Sequence, residues 1–178
     1  REVDAVMVGA GTVLADDPRL TVRAVDGVRS PARVVIDSSG RIPAEAAVLD
    51  VREAPTIVAT TARAPHELQL AWKEAGAEVI ALPEGEGGVD LRELLAHLGG
   101  RGMLEVLCEG GPRLATALLR DDLVDRLELH YGAGLIGEGG LSLGDLAVTT
   151  MSEVHRWRCP DVRTSDGDIV AVLERTGR

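Results

Sequence analysis

Three short stretches hold the residues whose types and spacing can do chemistry. The first is Gly9-Ala10-Gly11-Thr12-Val13-Leu14-Ala15-Asp16-Asp17-Pro18-Arg19-Leu20-Thr21-Val22-Arg23, which follows the apolar run Val6-Met7-Val8. Glycines just beyond a strand let a backbone come close to a ligand. The third glycine of a dinucleotide fingerprint is replaced by Leu14, so the GxG alone is weak. Asp17-Pro18 breaks a following helix, and the segment is expected to be a long ordered loop beyond a strand end. Composition alone favours a structural loop in which Asp16 or Asp17 caps a turn.

The second stretch is Glu109-Gly110-Gly111-Pro112-Arg113-Leu114-Ala115. A strand passes through two glycines into a helix with proline at its first position. Free amides at a helix start attract phosphate, and Arg113 offers a charge-assisted contact. A plain strand-to-helix turn with an exposed Glu109 fits equally well, and both readings stay open. The third stretch, Asp37-Ser38-Ser39-Gly40-Arg41, follows another strand, and an ordinary polar turn is the better reading of it.

Other chemistries find no support. His66, His97, His130 and His155 lack acidic or cysteine partners at motif spacing and are expected on the surface or at helix ends. Cys108 and Cys159 have no CxxC or Cys/His spacing, so no zinc site is expected and both are assigned to small core positions in a reducing compartment. Trp72 and Trp157 are assigned to the core. Nucleophile-elbow, Walker-lysine and zinc-deaminase signatures are missing.

The elements that must position these residues can be read from periodicity. The chain has 178 residues, 45% of them apolar, a composition that suits one globular domain over residues 1–178. The formal charge of −10 argues against nucleic-acid binding, which needs a basic footprint. No apolar run reaches membrane-span length, and no signal peptide is visible, so a cytoplasmic location is expected. β-Branched runs at 6–8, 33–36, 56–59, 78–82 and 104–108 predict buried strands. Helical spacing joins Leu68, Ala71, Trp72 and Ala75, with Gly76 at the end. It also joins Leu91, Leu94, Leu95 and Leu98, with an Asp90/Glu93 capping box and a stop at Gly99-Gly100. A third helix starts at Pro112. Runs at 127–131, 154–158 and 169–173 lack intervening helices and predict antiparallel C-terminal edge strands on a mostly parallel sheet. The glycine-rich stretch 85–88 is expected to be the most mobile loop.

Taken in order, the motifs resemble a known family. Asp4-Ala5-Val6-Met7-Val8-Gly9, the Gly11-to-Arg23 stretch, Pro31-Ala32-Arg33-Val34-Val35-Ile36-Asp37-Ser38, Glu109-Gly110-Gly111-Pro112 and Leu123-Val124-Asp125-Arg126-Leu127 together look like the riboflavin-pathway reductases. Those are the C-terminal domains of bifunctional deaminase-reductases and their stand-alone relatives. The resemblance implies a dihydrofolate-reductase-like α/β fold, with a mixed sheet and helices on both faces, and a homodimer. It also implies reduction of 2,5-diamino-6-ribosylamino-4(3H)-pyrimidinone 5′-phosphate, or its deaminated form, with NADPH as hydride donor. By position, Thr12, Asp16, Ser38 and Gly111-Pro112-Arg113-Leu114-Ala115-Thr116-Ala117 match cofactor-contacting residues. Leu20, Arg23 and Glu109 match substrate-contacting residues.

Three departures from the family pattern stand out. Family members carry an opening strand and an active-site loop with an Asp-Gly pair ahead of the region matching Arg1, so a segment upstream is expected. Gly134-Leu135 stands where Pro-Lys is usual, and Arg113 where a small hydroxyl residue is common. No residue is assigned as the general acid. Two alternatives accompany the leading reading. One is a reductase of the same fold acting on another pterin-like or pyrimidine substrate; the other is a non-catalytic binding or dimerisation module.

Overall fold

The computed structural model describes residues 3–22, 30–134 and 143–176. Arg23 and Leu135 lie outside the described residues. The chain divides into two compact units, residues 1–115 and 116–178.

The first unit is built on five parallel strands in the order β4-β3-β2-β1-β7. They are β1 (Ala5–Gly9), β2 (Ala32–Ile36), β3 (Thr56–Thr60), β4 (Glu78–Ala81) and β7 (Val106–Cys108). Each comes from one of the short apolar runs; β1, β2 and β3 are buried as expected, whereas β4 and β7, at the edges of the sheet, are only partly buried. In register, Val6 faces Arg33 on one side and Leu107 on the other. The expected strand at 104–108 is shorter at its start. Leu104 is exposed, and the amides of Leu104 and Glu105 donate to Asp4 Oδ2 instead of to a neighbouring strand.

The connections hold the helices. The segment after β1 is a helix, α1 (Ala10–Asp16), and not the long loop expected from its sequence. Ala10 and Val13 bury one side of it. Asp17-Pro18 does not prevent the helix; it ends it. Asp17 takes the left-handed conformation (φ 41°) while its amide still donates to Val13 O at 2.9 Å, a conformation that Asp tolerates better than most residues. Between β3 and β4 runs α2 (His66–Glu74), whose Trp72 is wholly buried and donates Nε1–H to Ile42 O at 3.2 Å. Around Trp72 lie Val8, Val13, Val35, Ile42, Val48, Leu49 and Val58.

The stretch at 85–88, expected to be mobile, is part of a small hairpin. Its strands β5 (Glu84–Gly85) and β6 (Gly88–Val89) pair antiparallel around Glu86-Gly87, with Gly87 at φ 87°. The next helix, α3 (Leu91–Gly100), is capped by Asp90, whose carboxylate accepts from the amides of Arg92 and Glu93. Asp90's own amide donates to Pro83 O at 2.9 Å. The helix stops at Gly100, as expected, and the turn beyond it closes at Gly102 (φ 81°). There Gly102 N–H bonds Gly99 O, and Met103 N–H bonds Leu98 O, the paired bonds of a Schellman end.

Helix α4 (Pro112–Arg120) begins in the first unit and continues into the second. It closes with the same pair of bonds, Asp122 N–H to Leu119 O and Leu123 N–H to Leu118 O, with Asp122 in the glycine-like position at φ 62°. Three antiparallel strands follow: β8 (Arg126–Tyr131), β9 (Trp157–Ser165) and β10 (Asp168–Arg175), in the order β8-β10-β9. The antiparallel pairing of the C-terminal strands is as expected, but they form a three-stranded sheet of their own and not the edge of the parallel one. The predicted strand at 154–158 starts only at Trp157 and runs on to Ser165. Val170 and Val172 of β10 are buried, whereas Ile169 and Val162 are exposed. Cys159 is exposed on β9 and Cys108 partly buried, and Trp157 is only half-buried, so neither Cys159 nor Trp157 is the core residue its type suggested.

Candidate active site

Strand order reverses at β1. From β1 the chain builds outward through β2, β3 and β4, and β7 is added on the other side of β1. In parallel α/β sheets such a reversal opens a crevice beyond the carboxyl ends of the two strands flanking it. Here those ends are Gly9 and Cys108. The first two candidate stretches lie directly beyond them.

The structure brings Thr12, Glu109 and Gly111 together there. Gly111 N–H donates to Thr12 Oγ1 at 3.2 Å, joining α1 to the turn before α4. Glu109 is exposed, and its amide extends the β1–β7 pairing by donating to Met7 O at 3.0 Å. Gly111 O accepts from both Leu114 N (3.1 Å) and Ala115 N (3.2 Å). The Arg113 amide has no intrachain acceptor among the described residues, and the Arg113 side chain is exposed. Pro112 has no amide hydrogen to satisfy. Leu114 is buried, and its side chain fills the place a Cβ on Gly110 would need. Burial pushes the Cys108 thiol above its ordinary range, with a hydrogen bond to Gly110 opposing and the Glu109 charge adding.

Three glycines at this crevice, Gly9, Gly11 and Gly111, are free of the constraints that act at Gly40 and Gly76, as are Gly99 and Gly100 of α3. Gly40 and Gly76 have positive φ and neighbours closer than a Cβ allows. Gly9 and Gly11 have neither: an added Cβ would meet nothing within 4 Å, and the Gly9 backbone is ordinary extended chain at φ −87°. At Gly111 an added Cβ would only touch Thr12 Oγ1 at 3.6 Å. Among the described residues, neither backbone strain nor packing calls for glycine at the three positions.

Ser38 stands beyond the carboxyl end of β2. Its hydroxyl oxygen accepts from Val89 N at 3.0 Å, and its carbonyl accepts from Thr61 Oγ1 at 2.7 Å. A Cβ on Gly88 would collide with Ser38 Oγ, which explains the glycine there. Asp37, wholly buried, shapes this turn by accepting from Arg41 N and from Ile42 N at 2.8 Å. Its other oxygen, Oδ1, has no hydrogen-bond partner among the described residues.

Asp16 and Leu20 lie apart from this cluster. Asp16 is exposed on the last turn of α1, about 9 Å along the axis from its start at 1.5 Å per residue. Leu20 follows the helix with φ 52° and packs against the core. No hydrogen bond joins either to Thr12 or Gly111. Arg23 lies outside the described residues. Thr116 and Ala117 belong to the second unit, where Thr116 Oγ1 accepts from Gly144 N at 2.7 Å. Sequence reasoning missed Arg33 and Asp37 as organisers. A charge inside the run Ala-Arg-Val-Val-Ile was the available signal.

A surface hollow of about 460 Å3 lies elsewhere, lined by Arg19, Glu45, Leu49, Asp50, Arg52 and Ala75 among others. Its charges pair with one another or with a neighbour, Arg52 with Asp50 and Arg19 with Glu53, and Arg52 holds the Asp50 carboxyl down at about 2. Among the described residues no group of three or more His, Cys, Asp or Glu can hold a metal, and no helix is long and apolar enough to cross a membrane.

Comparison with known proteins defines the class. The sequence profile of the RibD C-terminal domain matches residues 1–171, and the chain belongs to that family. It is 36% identical over 175 residues to the riboflavin biosynthesis protein RibD of Aquifex aeolicus, covering 98% of this chain and 47% of that protein. It is 43% identical over 145 residues to the 2,5-diamino-6-ribosylamino-4(3H)-pyrimidinone 5′-phosphate reductase of Archaeoglobus fulgidus, covering 76% of this chain and 64% of that one. RibD of Acinetobacter baumannii superposes with a TM-score of 0.78 at 27% identity, over 98% of this chain and 47% of that one. The chain thus spans about half the length of the RibD proteins it matches, and its fold is the dihydrofolate-reductase-like one expected.

The Thr12–Gly111 bond yields a direct check. Thr12→Val keeps the shape and leaves a half-buried amide without its acceptor. We expect a loss of about 1 kcal/mol in urea unfolding. An unchanged midpoint would mean that the bond does not help hold α1 against the turn.

Proposed function

We propose that this chain is an NADPH-dependent reductase that converts 2,5-diamino-6-ribosylamino-4(3H)-pyrimidinone 5′-phosphate, or its deaminated form, to the ribitylamino compound. The observation that carries the reading is the trio Gly9, Gly11 and Gly111. No neighbour among the described residues calls for glycine there, and the trio lies where a reversed strand order favours a ligand. The named activity of the Archaeoglobus relative supports the substrate.

NADPH, when bound, supplies the hydride. The chain's own groups bind and orient. The Arg113 amide and the start of α4, from Gly111 to Ala115, suit a pyrophosphate. Thr12 and Ser38 offer hydroxyls to the rest of the nucleotide, and Asp16 a carboxylate. Thr116 and Ala117 continue the same match. By the same family match, Glu109 would accept hydrogen bonds from a polar pyrimidine, Leu20 would pack against it, and Arg23, which lies outside the described residues, would hold the substrate phosphate as a guanidinium fork. Holding the reacting carbons in register and keeping water out is the protein's main contribution to such a transfer.

A second copy would complete the molecule as a cytoplasmic homodimer. Ile169 and Tyr131, which pair directly, and Val162, which pairs with Ala171, are exposed on one face of the β8-β10-β9 sheet, whereas Val170 and Val172 on the opposite face are buried. An apolar face of this kind is self-complementary about a two-fold axis. Sedimentation should read twice the 18.8 kDa chain mass; a monomer at micromolar concentration would refute the dimer.

The function is tested by titrating the chain with NADPH and NADH, then assaying the precursor. Binding selective for NADPH is expected. Arg23→Ala should spare it while raising the substrate KM at least about tenfold, the effect of losing one charge-assisted contact. Failure to bind either nucleotide would contradict the reductase reading, and an unchanged KM would remove Arg23 from the phosphate site.

A further inference from the structure

Arg33 is the second residue of β2 and is wholly buried. Its guanidinium meets no carboxylate at hydrogen-bonding distance among the described residues. Its partners are three main-chain carbonyls: Nη1 donates to Arg19 O at 3.1 Å, and Nη2 to Asp50 O at 2.8 Å and Ala54 O at 2.6 Å. Nε has no partner among the described residues. A buried cation paired only with neutral groups is a costly way to fill space, which an apolar residue fills better. Its rigid fork, however, can gather several carbonyls that no apolar side chain can hold.

Those carbonyls come from separate segments. Asp50 and Ala54 flank the turn before β3, and Arg19 lies in the segment after α1. That segment is tied down twice more. Asp17 Oδ1 accepts from Ala47 N at 2.8 Å, and the Arg19 side chain pairs with Glu53. The residue immediately after the Arg33-bound carbonyl is Leu20, held in the left-handed region at φ 52°, a conformation that a leucine keeps only when its surroundings impose it. Burial lowers the Arg33 pKa while Glu53 and Asp50 pull it back up.

We propose that Arg33 is a positioning residue for substrate binding: through Arg19 O it fixes the backbone that presents Leu20. It touches neither substrate nor cofactor. The proposal depends on the reading that Leu20 faces the substrate, and it predicts a pattern that a purely structural core residue would not give.

The test compares the full chain with Arg33→Met, which keeps the volume and removes the fork. In hydrogen–deuterium exchange, amides of residues 19–22 should exchange at least about tenfold faster, with β1 and α3 unchanged. In steady-state assays the KM for the pyrimidine phosphate should rise about tenfold, with kcat per active site and NADPH affinity within about threefold. Arg33→Lys, which keeps the charge but reaches fewer carbonyls, should fall between; should Arg33→Met not fold, the lysine variant carries both measurements. Exchange that accelerates throughout the first unit, or not at 19–22, overturns the proposal, as does a KM that stays put while only stability falls. A wild-type chain that binds neither nucleotide nor precursor would refute the functional reading instead. The exchange pattern would then decide the Arg33 anchor by itself.

Discussion

The rest of the first unit depends on the position of β1 between β2 and β7, with all three strands parallel. Parallel neighbours on both sides require two crossovers that leave in opposite directions. That requirement separates the segments emerging from Gly9 and Cys108 and opens a crevice between them. α1 and the turn before α4 are its two walls, and the Thr12–Gly111 hydrogen bond spans them. Every residue at the site takes its place from this topology. Thr12 comes with α1, Glu109 with the extension of β7, and Ser38 with the end of β2.

Two buried charges lock the loops that this topology leaves long. Arg33 gathers carbonyls from the segments around residues 19, 50 and 54, and Asp37 gathers the amides of Arg41 and Ile42. The two point to opposite chemical needs, donors at one end of β2 and acceptors at the other. Both are surrounded by the apolar layers that β2 shares with β1 and β3. Leaving a buried charge unpaired typically costs more than the charge contributes when paired, so either side chain fails badly if its backbone partners move.

Much of this was legible in the sequence, for a physical reason. Strands buried on both faces leave a dense apolar run, and β1, β2 and β3 were visible as such. The helix α1 was not. Its seven residues make only about two turns, one residue short of the i, i+3, i+4, i+7 spacing, and Asp17-Pro18 reads as a breaker whether the helix comes before it or not. The hairpin at 84–89 was also hidden, because its glycines read as mobility. In the fold Gly88 is required by the close approach of Ser38, a contact between residues 50 apart in sequence that no local pattern announces. At the site, the order of motifs pointed to the right family and the right turns. What local patterns could not supply was the link between Thr12 and Gly111, or the use of Arg33 as a clamp, since both are long-range contacts made by side chains whose types are unremarkable.

The central claim is that the crevice beyond Gly9 and Cys108 receives the nicotinamide nucleotide. It is tested most directly by following backbone amide shifts of the isotope-labelled chain as NADPH is added. The account predicts that the largest changes fall on Gly9, Gly11, Thr12, Gly111 and Arg113, with the amides lining the hollow around Asp50 and Arg52 unmoved. Shifts confined to that hollow, or scattered without focus on the ends of β1 and β7, would contradict it.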